Sequence, residues 1–161
     1  MEQAVRTLFA LYECAFRQAL AAEPDPEAVA RLYAPEFIAA SPAGVRTGRN
    51  DAQFLHVMAE GYARYRQIGT RDMRIRDIAL SPIDDHHCVA RVGWTATYAR
   101  DDLPETVLDF DVHYLVQVLE GIARVVKVEL LEKNSNVASC LVRFDGEPDR
   151  TYTRWVDYDK R

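Results

Sequence analysis

An α+β fold, in which N-terminal helices pack into a cone-shaped, curved antiparallel sheet, is predicted by three observations. Apolar residues recur at three- and four-residue steps through most of the first 69 positions. From residue 71 onward the period falls to two, and short polar connections separate the runs. At 161 residues the chain suits one domain, and a chain of that size buries about 70% of the surface exposed when unfolded.

The helical elements come first. Val5, Leu8, Phe9, Tyr12, Phe16, Ala19 and Leu20 lie on one face of a helix spanning about residues 3 to 22. Asp25, Pro26 and Glu27 start a second, short helix, because the Asp25 side chain can cap free amides and proline suits the first turn. Val29, Leu32 and Tyr33 form its buried side, and Pro35 ends it. Glu36 to Ala40 reads as a short strand, after which Ser41-Pro42-Ala43-Gly44 forms a turn leading through Thr47 and Gly48 to a third helix. Asn50 or Asp51 caps that helix, Phe54, Met58, Tyr62 and Tyr65 mark its apolar stripe, and Gly69 supplies a left-handed stop.

The strands follow as a meander. Met73 and Ile75 give way to Ile78 and Leu80, a change of phase that predicts a bulge. The second run, about His87 to Arg100, places Cys88, Ala90, Val92, Trp94, Ala96 and Tyr98 on one face. The third places Leu108, Phe110, Val112, Tyr114, Val116 and Val118 on one face and Asp109, Asp111 and His113 on the other. A tight turn at Glu120 and Gly121 leads into the fourth, Ile122 to Leu131. Helices followed by long, bent strands bury their stripes against one sheet face, which makes a cone with an apolar mouth.

This order of elements, the phrase Leu32-Tyr33-Ala34-Pro35-Glu36-Phe37 ahead of a Ser-Pro-x-Gly turn, and Thr47-Gly48-Arg49 before the third helix together resemble the nuclear transport factor 2-like superfamily, which includes SnoaL-like and steroid Δ-isomerase-like domains. The resemblance covers about residues 4 to 132 and implies a domain over residues 1–132 with an extension at 133–161. In that extension, Cys140, Val142 and Phe144 and then Tyr152, Arg154 and Val156 alternate around Asp145-Gly146-Glu147-Pro148, so it reads as an added hairpin or a frayed tail.

Composition excludes several function classes. A formal net charge of -5, with 20 basic residues scattered among 25 acidic ones, offers no stripe for a row of phosphates, so nucleic acid is not expected as a partner. The arginines at 64, 66, 71, 74 and 76 read as a solvated helix end and strand face. Three cysteines without metal or redox spacing imply a reducing, cytoplasmic setting. No apolar run approaches the roughly 20 residues of a membrane span, and the sequence implies no cofactor.

The resemblance also suggests where chemistry would sit. Steroid isomerases of the superfamily place a catalytic carboxylate just after the second helix, where this chain has Ser41, a poor base without a histidine partner. Their donor on the first helix falls near Phe16 or Arg17, with Tyr12 the nearest phenol. Their acid donor on the third long strand falls on His113 or Tyr114, and parity favours Tyr114. Catalytic candidates are therefore Tyr114, His113 and Tyr12, and Trp94, Tyr98, Phe110, Phe54, Met58, Tyr62 and Phe16 line the cone with Tyr12 and Tyr114. Asp109, Asp111 and His113 are read as facing out, to solvent or a dimer contact, and Asp84, Asp85, His86 and His87 as a hairpin turn and not a metal site. His56 is read as exposed.

Three functions compete. The leading one is a small-molecule-binding protein of the SnoaL-like kind, a homodimer paired through the outer sheet face, which uses an open aromatic cone for a flat hydrophobic ligand. An isomerase, cyclase or dehydratase adds an ionisable group with a shifted pKa inside it. A non-catalytic assembly module fills the cone and works through its outer face.

Overall fold

The computed structural model describes residues 1–41, 44–100 and 103–130, with three helices and six strands among them. The extension expected at 133–161, an added hairpin or a frayed tail, lies outside the described residues. Helix α1 runs Glu2–Ala21 and buries Val5, Leu8, Phe9, Tyr12 and Ala19 of the predicted stripe together with Ala15, while Phe16 and Leu20 are partly buried. Helix α2, Pro26–Ala30, is capped by Asp25, whose carboxylate accepts from the amides of Glu27 and Ala28. Helix α3, Ala52–Gln67, is capped by Asp51 accepting from the Phe54 amide. It stops where Gly69 turns to φ 86°.

The strands are β1 (Tyr33–Ser41), β2 (Gly44–Arg49), β3 (Thr70–Pro82), β4 (His87–Arg100), β5 (Leu103–Leu119) and β6 (Ile122–Leu130). They form one open sheet in the order β2-β1-β6-β5-β4-β3. The expected bulge in β3 is a register shift between Ile75 and Asp77 against β4.

Three expectations need correction. The second helix ends at Ala30, and Leu32 and Tyr33 are buried in the turn and at the start of β1 rather than on a helix face. The expected loop at Thr47 and Gly48 is instead strand β2, with Phe37 opposite Gly48. Gly48 is a close-packing site and not a turn: a Cβ there would stand 2.6 Å from the Phe37 ring. The sheet is mixed, because β1 pairs in parallel with β6 across nearly ninety residues of sequence, a partnership no local pattern announces.

Asn50 ties the joint between α2, β1 and α3, donating to the carbonyls of Ala30 at 2.7 Å and Tyr33 at 3.2 Å. Helix α1 packs on the concave side of the sheet, and one core runs from Val5 and Phe9 through Trp94, Tyr114 and Val125. A smaller cluster of Ala19, Val29 and Tyr62 joins α1 to α2 and α3. No helix among the described residues is long and apolar enough to cross a membrane.

Candidate functional site

The cone places three phenols together. Tyr12 comes from the middle of α1, Tyr33 from the start of β1 and Tyr114 from the middle of β5, and all three are buried. The Tyr12 and Tyr33 hydroxyls are 2.7 Å apart and hydrogen-bonded. Tyr114 joins them through hydrogen-bonding interactions with Tyr12 and with the Trp94 indole. Parity along β5 sends Tyr114 inward with Val112 and Val116, as expected.

Burial dominates the electrostatics. It raises the Tyr12 phenol, with the hydrogen bonds from Tyr33 and Tyr114 opposing the shift. It raises Tyr33 and Tyr114 well above the ordinary phenol value, and pushes Tyr65 up to about 12. The groups acting on Tyr12, Tyr33 and Tyr114 are one another, Tyr62, Tyr65 and Trp94, with no carboxylate or imidazole among them. All are therefore neutral near pH 7, able to donate and accept hydrogen bonds but not to remove a proton from carbon.

The aromatic rings occupy the cone. Tyr12 stands 5.9 Å from Trp94 and 5.8 Å from Tyr114 between ring centres, and Phe9 closes on Tyr114 at 4.9 Å. Toward the rim, Tyr33, Phe37 and Phe54 form a triangle with centres 4.7 to 5.2 Å apart. Phe16 packs against Tyr62 at 5.1 Å and Tyr65 at 5.2 Å. These are contact distances for aromatic pairs. Tyr12, Tyr62, Trp94, Tyr98 and Tyr114 are buried, whereas Phe16, Phe54, Met58 and Phe110 are partly buried. Two open grooves lie away from these rings, one along α1 and one between the end of α1 and Arg66, Thr70 and Arg71.

His113 lies on the opposite face of β5, half-buried, in register with Arg91 of β4. It is separated from Tyr12 and Tyr114 by the sheet, so the three catalytic candidates do not form one constellation. Its Nδ1 is buried without a hydrogen-bond partner among the described residues. Beside it the outer face carries an ion network. Arg76 reaches Asp77 at 3.1 Å, Asp109 at 3.0 Å and Asp111 at 3.2 Å, while Arg91 reaches Asp77 at 2.7 Å and Asp111 at 3.2 Å. The hydrogen bond from Arg76 leads the causes that hold the Asp77 carboxyl below its usual range.

The hairpin cluster is structural. Asp84 accepts from the amides of His86 and His87 and from His87 Nδ1 at 2.9 Å, which closes the β3–β4 turn. Among the described residues no group of three or more histidine, cysteine, aspartate and glutamate side chains is placed to hold a metal ion. His56 is exposed and faces Glu60 one turn along α3. Ser41 ends β1.

Two residues of the aromatic cluster, Tyr33 and Phe37, are not among the predicted cone residues, because the spacing puts Tyr33 on the second helix whereas it begins β1. The alternation of Tyr33, Pro35 and Phe37 was the available signal, and Pro35 obscured it. The arginine run was read as solvated, yet Arg66 donates to the Ala19 and Ala22 carbonyls at the end of α1. No local pattern could link residues more than forty positions apart.

Comparison with solved structures recovers the same architecture. A candidate scytalone dehydratase from Novosphingobium aromaticivorans is similar with a TM-score of 0.60 at 17% identity, covering 80% of each chain. A ketosteroid isomerase-like protein from Erwinia carotovora atroseptica is similar with a TM-score of 0.56 at 16% identity, covering 79% of this chain and 92% of that one. A candidate calcium/calmodulin-dependent protein kinase II association domain from Xanthomonas campestris gives 0.55 at 14% identity, covering 80% of this chain and 86% of that one. At these identities the likeness is one of fold. No curated protein matches the chain by sequence. The family described as NTF2-like protein (DUF6841) matches residues 2–142, and the chain belongs to that family.

Proposed function

We infer that this chain is a non-catalytic assembly module that pairs with a second copy of itself through the outer face of its sheet. The observation that carries the reading is the cone itself, occupied by its own rings and lined by neutral phenols without a base. Proton transfer beside a carbonyl requires a group that ionises near the working pH, and the interior supplies none among the described residues. One similar structure is a candidate association domain, which supports the same direction.

The outer face suits self-pairing. Arg74 and Arg76 line β3, Asp109 and Asp111 line β5, and β4 runs between them. A two-fold axis through β4 would set the arginines of each copy over the aspartates of the other. The network already fixes these long side chains, which lowers the ordering cost of docking. Sedimentation should show a dimer for the wild type, and Asp109→Arg with Asp111→Arg should weaken it by about a hundredfold or more, because like charges would then oppose across the axis. A monomeric wild type at tens of micromolar ends the proposal.

A second reading, small-molecule binding in the cone with a homodimer as scaffold, is favoured by the Tyr12–Tyr33–Tyr114 hydroxyl cluster beneath the partly buried ring of Phe54. A flat ligand would have to displace rim rings to reach it. Thermal-shift screening against steroids and polyketide-like aromatics tests it, and stabilisation that Tyr33→Phe weakens would move the function into the cone. An isomerase or dehydratase activity would further require turnover sensitive to Tyr114→Phe, and the phenols' raised pKa values argue against it.

A further inference from the structure

Where α1 ends beside the junction of α3 and β3, an open groove of about 350 Å³ is lined by Arg17, Leu20, Ala21, Arg66, Thr70 and Arg71. Three arginines share this hollow on a chain of net charge -5. Arg66 is committed, since it donates to the carbonyls that end α1 and lies 3.4 Å from Glu23. Arg17 engages Asp72 only through Nε, at 2.8 Å, and that carboxylate is shared with Arg74. Among the described residues Arg71 has a backbone partner alone, its Nε donating to the Ala99 carbonyl at 3.2 Å. Among those residues the outer nitrogens of Arg17 and Arg71 are thus left with donors to spare.

A second observation points to the same place. Thr70 is 4% exposed, the one polar residue among the described buried set, and its Oγ1 has no hydrogen-bond partner among the described residues. A buried hydroxyl without a partner costs roughly 1–3 kcal/mol, so its position calls for an explanation. Rotation about χ1 carries Oγ1 to another staggered position on Cβ, and Thr70 lines the groove together with Arg17 and Arg71. Leu20 and Ala21 supply an apolar floor next to them.

We propose that this groove binds a small organic anion, a carboxylate carrying a short apolar tail. Arg17 and Arg71 hold the carboxylate oxygens through charge-assisted hydrogen bonds, Thr70 donates its hydroxyl, and the tail lies on Leu20 and Ala21. Helix α1 carries no basic residue in its last turn, so Arg66 both closes that helix and keeps the local field positive. This site is separate from the cone and from the outer sheet face.

The test is an amide NMR titration of the whole chain with hexanoate, with hexanol as the uncharged probe and inorganic phosphate as the anion lacking a tail, all at fixed ionic strength. Hexanoate should shift the amides of Arg17, Leu20, Thr70 and Arg71 in a saturable way, with hexanol and phosphate each weaker. Arg71→Ala should weaken hexanoate roughly tenfold, the worth of one charge-assisted bond. Thr70→Val, nearly the same shape, should weaken hexanoate severalfold while leaving the melting temperature level or higher, because the deleted hydroxyl has no partner in the unliganded protein. Shifts by hexanoate no larger than those by chloride would overturn the proposal. So would equal binding of hexanol, or affinity unchanged in both variants. Phosphate binding in preference to hexanoate would overturn the assigned ligand class.

Discussion

Raising the pH above about 10 is expected to unfold this protein abruptly. The phenols of Tyr12, Tyr33, Tyr62 and Tyr114 are buried, and burial is the leading cause raising each above the ordinary value. A group whose folded pKa lies above its unfolded one contributes its full stability below the unfolded pKa and loses it as the pH rises. Once the pH passes that of a free phenol, the unfolded chain gains the free energy of ionisation and the folded chain does not. Each such group costs about 1.4 kcal/mol per pH unit, so four together remove up to about 5.6 kcal/mol per unit, comparable to the whole stability of a small domain. Absorbance of tyrosinate should therefore rise in one cooperative step coincident with loss of far-ultraviolet dichroism. Separate titration of these phenols at ordinary values with the fold intact would mean that the cone is wet.

Trp94→Ala is the second large effect. The indole is 2% exposed and sits between Tyr12 and Phe16 with ring centres 5.9 and 6.4 Å away. Removing it deletes its apolar transfer free energy and leaves a cavity, and it deprives Tyr114 of an interaction partner. Such truncations cost about 3–5 kcal/mol, which for a chain of this size lowers the melting temperature by about 10 °C. Denaturant titration of the variant checks this. A loss below about 1 kcal/mol would show that the surroundings do not depend on the indole, and it would favour the ligand-binding reading over the assembly reading.

The sequence made the fold legible wherever periodicity was local. The stripe of α1, the Asp25 and Asp51 caps, the phase change in β3 and the inward parity of Tyr114 each follow from neighbours within a few residues. What escaped was set by distant partners. Strand β2 falls where the sequence predicts only a lead-in to the third helix, and its Gly48 is small because Phe37 lies across from it. The parallel pairing of β1 with β6 has no signature in either strand alone. At the candidate site, the cone-facing rings were read from alternation, but whether rings fill a cone or frame a cavity depends on how elements from three parts of the chain interlock. The pairing of Arg17 with Asp72, 55 residues apart, is invisible for the same reason.

The two flanks of the sheet bear on how copies of this chain can accumulate. Strand β3 exposes one flank, but it is twice out of register with its neighbour, carries Arg71, Arg74 and Arg76, and ends in Pro82. Strand β2, at the other flank, is only six residues long and holds Arg46 and Arg49. Kinks, charge and brevity all deny an incoming strand a continuous ladder of amides and carbonyls. Among the described residues, both flanks thus carry features that disfavour growth by strand addition, the route to ribbons and fibrils.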